Sequence, residues 1–323
     1  MQDQPFAERS KAVRERFVES ANEGALTLDR MPRISWSIWM FGREPLSVSF
    51  RRLREAGLSY VELAGNHHTR ESGTDIAEAK RLLRDHDLKV SGVCGLYSPD
   101  VDLSSDNAFR GQHALDYVRR EIEFVYELGG EYLIVVPSAV GRPQPLGSEE
   151  RARSAERLAQ LGSDFGGAGI KAAIEPIRTD EVSLVHTVAD AKKFIQLVSH
   201  DAVQHINGDV YHMLYGESHI GEAVLDAGSQ LANLHLADSN RGTLGTGMID
   251  VDTVLRAYAL ATQGDSERGF LTGEPLGAGR DPYMALNTVP DPDFADRLVH
   301  DTVTHLLNRW EAVKRDAVHG VSS

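Results

Sequence analysis

The sequence predicts a (β/α)8 barrel of the TIM type, preceded by an N-terminal helical arm. Short runs rich in β-branched and aromatic residues alternate with longer runs of helical periodicity, and this alternation repeats eight times. Strict alternation of strands and helices is typical of a parallel sheet. Eight repeats favour a closed barrel, with an open doubly wound sheet as the alternative.

The predicted strands are short and bounded by turn residues. In chain order they are Ile34–Met40, Tyr60–Leu63, Lys89–Val93, Tyr132–Val136, Ile170–Ile174, Val203–Ile206, Leu231–Leu236 and Phe270–Leu271. The amphipathic segments that follow them are predicted helices at Leu46–Ala56, Asp75–Asp85, Ala108–Leu128, Glu149–Ala168, Thr187–Val198, Ile220–Ala227, Val251–Thr262 and Phe294–Arg315. Several of these helices end at a glycine, such as Gly57, Gly129 and Gly169, which takes the left-handed conformation that ends a helix.

This pattern divides the chain into three parts. Residues 1–31 are expected to form an arm with one short helix over Ala7–Ser20, residues 32–316 the catalytic barrel, and residues 317–323 a C-terminal tail. Two long connections, Pro137–Gly147 and Pro275–Pro292, follow strands four and eight. Both are expected at the C-terminal face of the barrel, where such folds place their active sites.

Composition limits the classes of function. Hydrophobic residues make up 41% and charged residues 25% of the 323 residues, which is typical of a globular protein, and no apolar run is long enough to span a membrane. The N-terminus lacks the apolar segment of a secretory signal and Cys94 is the only cysteine, so a cytoplasmic protein is expected. The net charge of −14 argues against nucleic-acid binding.

Metal-competent side chains lie where the last four predicted strands end, namely Glu175, Asp209, His235 and Glu274. The carboxyl ends of parallel strands meet at one rim of a barrel, so these groups are expected to lie together. Burying three acids there without a cation would carry a high desolvation cost. An oxygen-rich set with one nitrogen suits Mn²⁺, Mg²⁺ or Co²⁺.

With these motifs the chain resembles the xylose-isomerase-like barrel superfamily, and within it the D-tagatose/D-psicose 3-epimerase branch of sugar epimerases and isomerases. The resemblance spans roughly residues 32–316 at the level of the fold. It is carried by three spaced pairs and a final glutamate: Glu175 with Glu181, Asp209 with His212, His235 with Arg241, and then Glu274.

The resemblance implies an enzyme that abstracts a proton next to the carbonyl of a keto-sugar through an enediolate, with Mn²⁺ as the expected metal. Glu175 and Glu274 would be both metal ligands and the acid/base pair, whereas Asp209 and His235 would be ligands only. The residues implied to hold substrate oxygens are Glu181, His212 and Arg241.

Glu62 is a further candidate from the residues themselves, because it ends the second predicted strand in YVELAGNHH. It is expected either to help close the sugar pocket or to form a salt bridge inside the barrel mouth.

Other functions remain alternatives. The long loops suggest a larger substrate or a covering subunit, as in the large subunit of C-glycoside deglycosidases. Such a lyase would cleave a C–C bond of a 3-oxo-glycoside through a similar enolate and would work with a small β-rich partner. DNA-repair endonucleases share the barrel and the D-x-x-H element, but VCGLYSPD and MIDVD lack the further histidines that their metal site needs. A non-catalytic binding or scaffold subunit is the last alternative. Relatives commonly assemble, so a homo-oligomer is expected.

Overall fold

The protein forms a barrel of eight parallel strands surrounded by helices. The computed structural model describes residues 5–65, 74–277 and 281–319. Neighbouring strands follow the order β1-β8-β7-β6-β5-β4-β3-β2, so every strand from β2 to β7 pairs with the next along the chain, and β8 pairs with β1. The strands are β1 (Arg33–Trp36), β2 (Tyr60–Ala64), β3 (Lys89–Cys94), β4 (Tyr132–Val135), β5 (Lys171–Ile174), β6 (His205–Asp209), β7 (Leu231–Leu236) and β8 (Phe270–Gly273).

The first and last strands meet, which makes the sheet a barrel. β1 pairs with β8 in parallel register, from Arg33 opposite Phe270 to Trp36 opposite Gly273. At the remaining seam, Ser37 and Glu62 form a parallel bridge. The backbone N–H of Ile38 also donates to the carbonyl of Glu62 at 3.0 Å. The prediction of a TIM barrel is confirmed, and the open sheet is excluded.

The helices cover the outside of the barrel and bury an apolar face against it. They are α1 (Phe6–Asn22), α2 (Leu46–Glu55), α3 (Ile76–Asp85), α4 (Ala108–Leu128), α5 (Glu150–Gln160), α6 (Gly162–Ala168), α7 (Val188–Val198), α8 (Val210–Gly216), α9 (Ile220–Ala227), α10 (Val251–Thr262), α11 (Pro282–Ala285) and α12 (Pro292–His319). None of the described helices is long and apolar enough to cross a membrane.

Several predicted bounds differ from the structure, among them the sixth strand, predicted over Val203–Ile206 and found over His205–Asp209. Two further differences have a clear physical cause. The apolar run predicted as a strand to Met40 leaves the sheet after Trp36, and residues Trp39–Phe41 form a 3-10 turn that is nevertheless buried. An apolar run indicates that its residues are buried, but it does not show that their backbone is extended. The single helix predicted over Glu149–Ala168 is divided at Leu161 into α5 and α6. The first residue of α6 is Gly162, where a Cβ atom would lie 2.3 Å from the imidazole of His200.

The N-terminal arm packs on the outer helices α9, α10 and α12. Val13 and Phe17 of α1 are buried in this contact, and Arg9 forms an ion pair with Glu222 of α9. The last helix extends to His319, three residues past the predicted end of the barrel at 316. The division into arm, barrel and tail stays a prediction, and residues 1–4 and 320–323 lie outside the described residues.

Candidate metal centre and active site

The ends of β5 to β8 bring four metal-competent side chains to one place, here called the cage: Glu175, Asp209, His235 and Glu274. Glu175 and Glu274 each follow the last residue of a strand, and their backbone N–H groups still donate to the neighbouring strand. All four side chains are buried. The parallel register therefore places the predicted residues at one rim of the barrel.

His235 lies at the centre of the cage. Its Nδ1 atom is 3.2 Å from Oε1 of Glu274 and 3.7 Å from Oε1 of Glu175. Ligand atoms of Glu175, Asp209 and His235 all lie within 4.8 Å of one another, and His235 belongs to a second such group with Glu274 and Glu62. His235 is therefore the residue through which one cation could meet ligands of both groups.

The cage fits a divalent cation. Oδ1 of Asp209 accepts the backbone N–H of Tyr211 at 2.8 Å, but the buried Oδ2 atom makes no hydrogen bond within the described part of the chain. A buried carboxylate oxygen without a donor is costly unless a cation neutralises it. Three carboxylates and one imidazole form a donor set that suits Mn²⁺, Mg²⁺ or Co²⁺.

The electrostatics of the cage agree with this fit. Burial raises the pKa of Asp209 to about 7, and the nearby Glu274 carboxylate adds to the increase. Burial likewise raises the pKa of Glu175 and of Glu274 above the ordinary range. Burial alone would lower the pKa of His235, but the carboxylates of Glu274 and Glu62 hold it well above its usual value. The cage therefore retains protons that a cation would displace.

Each glutamate of the cage has one oxygen held by a neutral donor. Nδ2 of Asn207 donates to Oε1 of Glu175 at 2.8 Å, and the indole N–H of Trp39 donates to Oε1 of Glu274 at 2.6 Å. Sequence reasoning placed Trp39 in an extended strand and missed this contact, because the 3-10 turn that aims the ring at Glu274 has no distinctive sequence signal.

Arg241 lies at the rim of the cage. Its Nη2 atom is 4.0 Å from Oε2 of Glu274. Its guanidinium lies 4.7 Å from the ring centroid of Tyr211 and 5.8 Å from that of Trp39. The buried Nε atom has no hydrogen-bond partner among the described residues. The Nε–H group of Arg241 is therefore a donor without a partner close to Glu274.

His212 is brought against Asp209, with Nε2 lying 3.4 Å from Oδ2 of that residue. Burial lowers the pKa of His212 well below its usual value, and the positive charge of Arg241 lowers it further. The imidazole is therefore neutral near pH 7. Its Nδ1 atom is buried without a hydrogen-bond partner in the described structure.

Glu181 is held by an arginine that the sequence analysis did not single out. Its Oε1 atom is 2.5 Å from Nε of Arg178. The guanidinium of Arg178 stacks on the rings of Tyr211 and Tyr215, and its Nη1 atom donates to the Tyr211 hydroxyl at 3.0 Å. An arginine three residues before a glutamate on a loop usually marks a solvated ion pair, so no sequence signal distinguished it.

Glu62 lies beside the cage, and its side chain is 0% exposed. Its Oε1 atom is 2.9 Å from Nε2 of His235, and its Oε2 atom accepts from the hydroxyl of Tyr132 at 2.7 Å. The structure thus pairs Glu62 with the cage histidine.

Comparison with known proteins gives one family match and several relatives. The model of the family described as "Xylose isomerase-like TIM barrel" matches residues 50–261. An L-ribulose 3-epimerase of Methylomonas sp. is 30% identical over 198 residues, covering 60% of this chain and 67% of that protein. A 3-dehydro-D-guloside 4-epimerase of Escherichia coli is 27% identical over 257 residues, covering 76% of this chain and 92% of that protein.

Solved structures share the fold. An L-ribulose 3-epimerase structure superposes with a TM-score of 0.77 at 22% identity, covering 91% of this chain and all of the other. The 3-keto-D-glucoside 4-epimerase of Escherichia coli superposes with a TM-score of 0.66 at 24% identity, covering 80% of this chain and 97% of the other.

Proposed function

The chain belongs to the xylose isomerase-like TIM barrel family, and on that premise we propose that it is a divalent-metal-dependent epimerase of a keto-sugar. The observation that carries the proposal is the cage, in which the carboxylates of Glu175 and Glu274 both lie within 4 Å of Nδ1 of His235, with their pKa values raised. Epimerisation next to a carbonyl requires two groups of this kind, one to remove a proton and one to return it.

Glu175, Asp209, His235 and Glu274 would hold the cation. When bound, it would stabilise the negative charge that develops on the carbonyl oxygen as the neighbouring carbon loses its proton. Mn²⁺ is the proposed ion, with Mg²⁺ and Co²⁺ as the other ions that this donor set suits.

The two glutamates would transfer the proton. They stand at the ends of β5 and β8, with β6 and β7 between them, so they can face a sugar carbon from different sides. Asn207 and Trp39 each hold one oxygen of a glutamate, which leaves the second oxygen for proton transfer. The raised pKa of each carboxyl matches a group that must accept and donate protons near neutral pH.

Three further residues would bind the sugar. Arg241 offers an unpaired donor beside Glu274 and would bind a substrate oxygen on which charge develops. Neutral His212 would hydrogen-bond a substrate hydroxyl next to Asp209. Glu181, fixed by its ion pair with Arg178, would accept from a hydroxyl at the mouth.

The substrate is proposed to be a free ketose or a 3-keto-glycoside. The relatives compared above carry the names of a 3-epimerase of a ketose and of a 4-epimerase of a dehydro-glycoside. Both reactions invert a carbon next to a ketone, so one acid/base pair serves either. Neither relative carries a lyase name, so the comparisons give the deglycosidase alternative no support. The homo-oligomer, the small β-rich partner and the compartment stay predictions.

Exchange of the substrate's α-proton with deuterated solvent tests the proposal. D-Fructose, D-tagatose, D-psicose and 3-keto-D-glucose glycosides would be incubated with the Mn²⁺-loaded protein in D2O and followed by NMR. We expect deuterium at the inverted carbon, loss of exchange on chelation by EDTA, and loss in Glu274→Gln. Glu123→Gln, at an exposed position of α4, is the matched control. Undiminished exchange in Glu274→Gln would remove that residue from the acid/base pair.

A further inference from the structure

The barrel interior holds a set of hydrogen-bonded polar side chains next to the cage. On β6, β7 and β8 these residues stand two positions before a cage residue and so share its face of the strand. The set is here called the polar layer. It contains one buried residue from each strand except β5: Ser35, Glu62, Ser91, Tyr132, Asn207, Asn233 and Thr272.

Glu62 is the charged centre of the polar layer. Its Oε2 atom accepts from the hydroxyl of Tyr132 at 2.7 Å and from Nδ2 of Asn233 at 3.2 Å. Nε2 of His235 lies 2.9 Å from Oε1 and 3.0 Å from Oε2. Asn233 is itself fixed, since its Oδ1 atom accepts from Thr272 at 2.7 Å. The carboxylate is therefore held from several sides and has little freedom to rotate.

This arrangement determines which nitrogen of His235 carries a proton. A carboxylate only accepts hydrogen bonds, so Nε2 must be the N–H donor. A metal ligand must be the neutral imidazole, in which the other nitrogen, Nδ1, carries a lone pair. That atom has only a long contact of 3.4 Å with Nδ2 of Asn207. Nδ1 is the atom that faces Glu274 and Glu175 across the cage.

We infer that Glu62 is a positioning residue, which holds the imidazole of His235 in the Nε2–H form and so directs Nδ1 to the metal. The inference rests on the metal centre of the proposed function and adds a residue and a ligand atom to it. A carboxylate that orients a ligand histidine in this way typically changes metal affinity 10- to 100-fold when it is removed.

Glu62 is a better positioning residue than ligand, although one of its oxygens lies within ligand distance of His235 and Glu274. Both of its oxygens are already engaged by protein donors. Oδ2 of Asp209, in contrast, has no hydrogen-bond donor among the described residues. A cation gains more from the oxygen that lacks a donor, because binding there breaks no hydrogen bond.

The first test is the dissociation constant for Mn²⁺, measured by calorimetry on the full chain. Glu62→Ala is expected to bind Mn²⁺ about 10- to 100-fold more weakly than the unchanged protein. Glu62→Gln keeps an acceptor for Nε2–H and is expected to lose less. Ser35→Ala is the matched control, since its hydroxyl belongs to the polar layer but bonds to Ser91 and not to Glu62.

The second test is NMR of the protein with ¹⁵N-labelled histidine, loaded with diamagnetic Zn²⁺, with the signal assigned through His235→Gln. We expect a protonated Nε2 and a metal-shifted Nδ1 for His235, and a mixture of forms in Glu62→Gln. Coordination through Nε2, or an unchanged Mn²⁺ affinity in both Glu62 variants, would overturn the inference. An unchanged protein that binds no Mn²⁺ would instead contradict the proposed function. The NMR measurement on the unchanged protein does not depend on how well any Glu62 variant folds.

Discussion

The indole of Trp39 and the carboxylate of Glu274 are joined by a hydrogen bond of 2.6 Å between Nε1 and Oε1. A 3-10 turn just after β1 supplies the donor, and the first residue after β8 supplies the acceptor. This contact fixes one oxygen of the proposed acid/base residue and connects the first and last strands above the barrel.

Removing that donor is expected to slow catalysis. Trp39→Phe keeps an apolar ring but leaves Oε1 of Glu274 without its indole donor, and a hydrogen bond to a charged group contributes about 1.5–3 kcal/mol. We expect kcat to fall roughly 10- to 100-fold, with a smaller change in KM. Trp310→Phe is the matched control, because that buried indole N–H has no hydrogen-bond partner in the described structure. Equal kcat values for the two variants would contradict this role of Trp39.

Metal affinity is expected to increase with pH. Burial raises the pKa of Asp209 to about 7, so at pH 6 this ligand is mostly protonated and the cation must displace its proton. At pH 8 the carboxylate is already free. Calorimetry with Mn²⁺ between pH 6 and pH 8 should show tighter binding at the higher pH. Buffers of different ionisation enthalpy should reveal proton release at pH 6. Affinity that is constant or falls over this range would contradict the prediction.

The loop that carries Arg241 depends on Asp238. The carboxylate of Asp238 accepts the backbone N–H groups of Ser239, Gly245 and Ile249, and Arg241 has a left-handed φ of 56° within this turn. A non-glycine residue in this region is held there by its surroundings.

Asp238→Asn is therefore expected to raise KM for the keto-sugar several-fold, because Arg241 loses its fixed position. The control is Asp250→Asn, which changes the N-cap of α10 at the end of the same loop and keeps a good capping residue. Steady-state kinetics should show an increased KM in the first variant only. An increase of similar size in both would mean that the loop as a whole, and not Asp238, positions the arginine.

Stability is expected to depend on the buried pair of Arg52 and Glu44. The guanidinium makes two hydrogen bonds to this carboxylate, at 2.5 and 2.9 Å, and both residues are less than a tenth exposed. Arg52→Met leaves the buried Glu44 carboxylate without its cation and with only the Ser49 hydroxyl as a donor, at 2.7 Å. The loss should lower the free energy of unfolding by about 3–5 kcal/mol. Urea denaturation measures this loss. The double variant Glu44→Gln/Arg52→Met should recover part of it, and no recovery would contradict the electrostatic explanation.

The sequence was sufficient to predict the barrel because its signals are local. Short runs rich in β-branched and aromatic residues identify strands, period-3.6 patterns identify helices, and glycines such as Gly129, at φ 73°, end helices as expected. The cage residues could be placed because parallel strands end at one rim, which makes strand order alone bring Glu175 and Asp209 together.

The depth of a side chain within the barrel, and the neighbour that it contacts, could not be predicted in the same way. Alternation indicates that Glu62 points into the barrel, but not that it lies against His235 below the mouth. The contact from Trp39 to Glu274 depends on a turn that the apolar run conceals, and the pairing of Glu181 with Arg178 depends on loop geometry. Each of these contacts depends on the three-dimensional arrangement of side chains, which a local sequence pattern does not contain.

The most direct test of the central claim is a crystal structure of the protein with Mn²⁺, with the ion located by its anomalous scattering. We predict one Mn²⁺ ion at the rim of the barrel, bound by Glu175, Asp209, Nδ1 of His235 and Glu274. An ion bound elsewhere, or a cage that stays empty at millimolar Mn²⁺, would contradict the account.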